Sequence, residues 1–179
     1  MTDHRPPAPG LPAGTGTTGD ASTAPRRNPW VQTFVSPVPI AFVAGTAITA
    51  LTGAALAAVG IPALAGWQAA VTGGLVALFL MGAIGRLVPG VRAGLVAMVP
   101  PALPRPDLIV AATGVLEAAG ALGLLFPPTH RLAAWCLAAL LVAVFPANVR
   151  EARRGGSPLV PRTVEQVGFV AACLAVALG

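Results

Sequence analysis

Of the chain's 179 residues, 55% are hydrophobic and 9% charged, and the mean hydropathy is +0.79. Soluble domains carry about 25% charged residues, and no charge occurs in the 58 residues from Asn28 to Gly85; a soluble enzyme is excluded, and an all-α, multi-pass membrane bundle is expected. The net charge of +5 comes from 11 arginines and no lysine, and with no soluble face to carry a basic stripe it argues for topology and anionic lipid, not nucleic acid.

Residues 1–29 are rich in Pro, Gly, Thr and Ala and nearly empty of large apolar side chains. Such a segment is expected to form a disordered cytoplasmic tail, because it buries too little to offset the entropy of ordering. Arg26 and Arg27 close it, and residues 38–60 follow without a charge. That run is longer than the 7–15 residues of a signal-peptide core, so an uncleaved anchor is expected. The first span is placed at about Val38–Val59 and ends at Gly60-Ile61-Pro62, a breaker cluster. Residues 30–66 thus form an extra N-terminal transmembrane helix with its outer turn.

Residues 67–179 form the core. The second span is expected at about Trp67–Gly85, the third at Leu108–Phe126 and the fourth at Leu132–Val149. The fifth, at Val164–Gly179, is short. Its uncharged part from Gln166 has 14 residues, or about 21 Å of helix against a hydrocarbon core of about 30 Å.

Arginine placement orients these spans. With the N-terminus in the cytoplasm, Arg5, Arg26, Arg27, Arg86, Arg92, Arg105, Arg150, Arg153, Arg154 and Arg162 lie inside and Arg131 alone lies outside. Ten against one satisfies the positive-inside rule of a bacterial inner membrane. Gly45, Thr49, Gly53 and Ala57 recur every four residues and predict a smooth packing strip on the first span. Gly82, Gly85, Gly120 and Gly123 suggest similar close contacts on the second and third.

Glu117 is the residue most able to carry chemistry. It lies nine positions from either end of the third span, where a carboxylate costs about 2.5–3.5 kcal/mol on insertion scales. It should therefore face the bundle. Thr113 is one turn earlier on the same face, and Thr49 offers a hydroxyl at mid-depth of the first span. No Arg or His is expected at that depth, so no ion pair is expected either. Two readings stand: a proton or ligand site, or a carboxyl that hydrogen-bonds across helices and locks the bundle.

Asn148 follows Phe145-Pro146. It either caps the helix end or belongs to a polar group that satisfies the carbonyl four residues before the proline. Asp107 is expected as a helix cap, and His130 as a solvated interfacial side chain. Cys136 and Cys173 are expected to be buried structural thiols, since no Cys-x-x-Cys pair exists. No phosphate loop, dinucleotide fingerprint, nucleophile elbow or metal-ligand cluster occurs, and no His pair for a haem.

The blocks Val99-Pro100-Pro101-Ala102-Leu103-Pro104, Gly-Val-Leu-Glu-Ala-Ala-Gly-Ala-Leu-Gly-Leu-Leu at 114–125, Arg-Leu-Ala-Ala-Trp at 131–135 and Phe-Pro-Ala-Asn at 145–148, with Arg162 and Gln166, resemble the DoxX family of small bacterial membrane proteins. The resemblance covers residues 67–179. It implies a four-helix membrane core and, from the family's mixed functions, a place beside thiosulfate:quinone, thiol-stress or superoxide-detoxifying enzymes. The chain departs from the family in its extra span, its tail, and Gly85-Arg86-Leu87-Val88-Pro89, which stands where an aromatic or His element is common. The expected function is a membrane subunit or scaffold of a quinone- or thiol-linked redox complex. It is expected to lack catalysis of its own, with quinone as a possible cofactor and an oxidoreductase as partner. The alternatives are a small-molecule or proton-coupled transporter using Glu117, and a quinone-reducing oxidoreductase subunit.

Overall fold

The computed structural model describes residues 37–61, 64–155 and 158–179; the expected tail over 1–29, with Arg5, Arg26 and Arg27, lies outside the described residues. All regular structure among them is helical: α1 Pro37–Ala58, α2 Trp67–Gly85, α3 Pro89–Met98, α4 Pro106–Gly123, α5 His130–Arg153 and α6 Leu159–Leu178. Five of these, all but α3, are long and apolar enough to cross a membrane.

The helix bounds follow local chemistry. α1 stops at Ala58, and Gly60, at φ 87°, lets the Ile61 N–H turn back to the Leu56 carbonyl at 2.9 Å, a left-handed exit that glycine takes without a Cβ clash. Pro89 and Pro106 open α3 and α4 at the position where a missing N–H costs nothing. Arg105, at φ 51°, occupies the cap position of α4. Asp107 is therefore not the cap. It sits inside the first turn, where an acid favours the helix dipole, and lies 3.8 Å from Arg92 in an exposed pair.

α6 corrects the length problem of the last span. It begins five residues before Val164 and takes Arg162 and Glu165 into its first turns. Its 20 residues span about 30 Å. Helix propensity accounts for the extension, since Arg and Glu continue a helix readily even where hydropathy has fallen.

α2, α4, α5 and α6 close a ring, α2 against α4 and α6, and α5 against the same two helices. Its centre holds Leu75, Leu78 and Phe79 from α2, Ala121 from α4, Ala134 and Leu137 from α5, and Cys173 and Val176 from α6. Alanine recurs in the same cluster, at Ala121, Ala133, Ala134, Ala138 and Ala177, because, without a hydrophobic drive between helices in lipid, close backbone approach supplies the attraction. Glycine helps at the same interfaces: Gly120 faces Leu137, and a Cβ on Gly123 would stand 2.9 Å from Ala133 Cβ. Among the described residues, nothing lies within 4 Å of where a Cβ on Gly85 would stand.

α1 stands outside this ring, packed along α2, with the Phe42 ring edge-on to Phe169 of α6 at 5.4 Å. The expected strip operates at Gly45, Thr49 and Gly53 and stops before Ala57, which is exposed. Its counterpart on α2 is the pair Gly73-Gly74, which receives Thr49 and Thr46. Cys173 is buried, whereas Cys136 is exposed. Cys136 lies on the outward face of α5, because burial follows helix rotation, not the hydropathy of the run.

Candidate functional site

Glu117 has a cationic partner. Arg86, the residue after α2, donates from Nη1 to Glu117 Oε2 and from Nη2 to Oε1 at 2.7 Å. The two side chains keep only 15% and 12% of their surface exposed. This overturns the expectation that no arginine reaches the depth of Glu117. Side chains on a helix lean toward its N-terminus, so Arg86 reaches back along α2 to the level of Gly82. The planar guanidinium then matches the carboxylate in a two-bond fork.

Two glycines make room for the pair. A Cβ on Gly82 would lie 2.8 Å from Glu117 Oε2, and one on Gly114 would lie 2.9 Å from Arg86 Cδ. Gly82, expected as a helix-packing residue, therefore serves the ion pair. Within this fit Arg86 Nε is buried and has no hydrogen-bond partner among the described residues.

Arg86 borders two cavities. One, of about 380 Å³, lies between α3, α4 and α5, and its polar lining is Arg86, Thr113 and Asn148 among apolar residues such as Met98, Val99, Val110 and Pro146. The other, of about 390 Å³, lies between α2 and α4 and is bordered by Arg86, Arg92 and Gly114. Pockets of this size suit a small organic molecule.

The four sequence candidates divide accordingly. Thr113 and Asn148 line the first cavity, and Glu117 stands behind it through Arg86. Thr49 lies elsewhere: its hydroxyl donates to the Gly45 carbonyl at 2.9 Å and it packs on Gly73 at the α1–α2 seam. Thr113 donates to the Val110 carbonyl at 2.9 Å.

Asn148 is fixed by a chain of polar contacts that joins α5 to α6. Its Nδ2 donates to Gln166 Oε1 at 2.7 Å, and Gln166 Nε2 donates to the Leu141 carbonyl. The carbonyl satisfied is one residue before the expected one at Val142. Proline's ring opens the preceding turn as a whole, so the neighbouring carbonyl also becomes reachable.

Several arginines assigned only to topology hold helix ends. Arg131 Nε donates to the Ala177 carbonyl of α6 at 2.8 Å. Arg150 Nη1 donates to the carbonyls of Val99 and Met98, and Arg154 Nη1 to that of Ala97 at 3.0 Å. These satisfy carbonyls that a helix C-terminus leaves open. His130, expected in solvent, has Nδ1 2.6 Å from the Leu124 carbonyl at the end of α4.

Arg86 and α3 are what sequence reasoning missed. Arg86 is the first charge after the long uncharged run, and its closeness to a helix end invited a purely topological reading. The spacing Gly82 to Arg86, one helical turn, was the available signal.

Residues 75–176 match a protein family described as a domain of unknown function (DUF8561). No curated protein and no solved structure matches the chain.

Proposed function

The chain belongs to the DUF8561 family, a domain of unknown function, and from the resemblance to the DoxX family and the cavity beside Arg86 we propose that it is a membrane subunit of a redox-linked complex, holding an uncharged, lipophilic, carbonyl-bearing molecule of the quinone kind. The observation that carries this reading is a convergence of distant sequence blocks. Val99, Pro100 and Leu103 of the first DoxX-like block and Pro146, Ala147 and Asn148 of the Phe-Pro-Ala-Asn block line one cavity. Glu117 of the central block holds the arginine at its wall.

Charge balance selects the ligand class. Glu117 already neutralises Arg86, so a charged ligand would leave a net charge in a low-dielectric site. The polar groups at the cavity wall, Thr113 and Asn148 beside the neutralised Arg86, suit a carbonyl-bearing molecule, and the apolar walls take the remainder. In this reading the protein lies in a bacterial inner membrane with the arginine-rich end in the cytoplasm, and an oxidoreductase partner supplies the electrons.

Purification from native membranes in mild detergent, followed by mass spectrometry of extracted small molecules and co-purifying proteins, tests the reading. A quinone and an oxidoreductase should accompany the wild type. The quinone should fall about tenfold in Asn148→Ala, the loss that about 1.4 kcal/mol of binding produces. Recovery of the protein with neither companion would reject it.

The two cavities on either side of Arg86 favour a second reading, transport gated by the ion pair. That reading requires flux into vesicles that disappears in Glu117→Gln.

A further inference from the structure

α3 is the loosest wall of the cavity. None of its ten residues is buried, and it touches only α4 and α5 among the helices it packs against appreciably. Even so, Leu95 and Met98 of α3 and Val99 just beyond it close one side of the cavity. Few side-chain contacts hold them there. The fixed points are the exposed Arg92–Asp107 pair to α4 and the hydrogen bonds from the end of α5, Arg150 to Val99 and Met98, and Arg154 to Ala97.

The two arginines differ in environment. Arg150 is half-buried, while Arg154 and its neighbour Arg153 are exposed at the same end of the bundle. Arg92, Arg105 and Arg162 also lie at that end, against Asp107, Glu151 and Glu165. α5 has 24 residues, about 36 Å, so its last turn extends past a hydrocarbon core of about 30 Å into the headgroup layer. An exposed guanidinium at that level meets lipid phosphates, for which it has a matching two-bond geometry.

We infer that Arg154 and Arg153 form a binding site for the phosphate of an anionic phospholipid headgroup, and that its occupation draws Arg154 off the Ala97 carbonyl and lets α3 lift from the cavity. Arg150 remains on Val99 and acts as the hinge. The cavity then opens toward the lipid interface, which is where a lipophilic ligand is dissolved. The inference rests on the ligand reading above for its purpose, but its test needs no ligand.

The test follows access to the inner face of α3. Leu95→Cys is introduced together with Cys136→Ser, and the full chain is placed in vesicles of phosphatidylcholine alone or with phosphatidylglycerol. A water-soluble maleimide reports exposure of the new thiol. Labelling should be about fivefold faster in the anionic vesicles, the factor that one arginine's attraction to an anionic surface supplies. Adding Arg154→Gln should give fast labelling in both vesicle types, and Arg154→Lys should restore slow labelling in phosphatidylcholine.

Equal rates in the two vesicle types, or slow labelling of Arg154→Gln, would overturn the inference. Acceleration by soluble glycerol phosphate in phosphatidylcholine vesicles would overturn the lipid as occupant and assign the site to a free phosphate. Because labelling is measured without ligand, failure here leaves the proposed cavity ligand standing, and absence of a quinone leaves this result standing.

Discussion

Arg86 and Glu117 form a bidentate pair with little exposed surface, and the energetics of such a pair are asymmetric. Removing one member strands the other charge and costs about 3–5 kcal/mol, while replacing both with apolar groups of similar volume is often neutral. Glu117→Gln is accordingly expected to lose that amount in denaturant unfolding from mixed micelles, and the double change Arg86→Met with Glu117→Leu to recover most of it. Single and double variants of equal stability would refute the coupling. The position of Glu117 was legible because a carboxyl in an apolar run announces itself. Its partner was not, because the reach of Arg86 depends on the direction of its side chain and on the recess left by Gly82 and Gly114.

At the scale of the helix, small residues decide which neighbours approach. A Cβ on Gly45 would lie 2.6 Å from Ala77 Cβ and 2.7 Å from the Gly73 carbonyl oxygen, and backbone cannot yield as a side-chain tip can. Gly45→Ala should cost about 1–3 kcal/mol by overpacking. Gly85→Ala, with open space around it, should be neutral or gain up to about 1 kcal/mol from helix propensity. Because α1 lies outside the ring, the Gly45 loss should appear first as protease sensitivity of α1 with the ring intact; simultaneous loss of both would contradict the peripheral placement. Four-residue spacing made Gly45, Thr49 and Gly53 readable. Gly73 and Gly74 escaped notice because adjacent small residues carry no period, and α3 because a ten-residue helix after a proline resembles a loop in hydropathy.

For the whole molecule, five candidate spans place Arg86, Arg92, Arg105, Arg150, Arg153, Arg154 and Arg162 at one end and Arg131 at the other. The proposed orientation, argued from the positive-inside rule, has the first group in the cytoplasm. A reporter enzyme active only outside the cytoplasm should be silent when inserted at Gly155 and active at Pro128. The reverse pattern would invert the topology and place the α3 wall on the outer leaflet.

The sequence by itself determined the membrane class, the number of candidate spans and the place of Glu117 as a carboxyl within an apolar run, because these follow from hydropathy and charge counted along the chain. It also marked Thr113 and Asn148, which the fold brings to one cavity, and Thr49, which the fold places on a different seam. Only the tertiary structure decided that Arg86 neutralises Glu117, that Cys136 faces outward, and that Arg131, Arg150 and Arg154 hold helix ends. Those outcomes depend on helix rotation and on where one helix ends beside another, and a one-dimensional pattern carries neither.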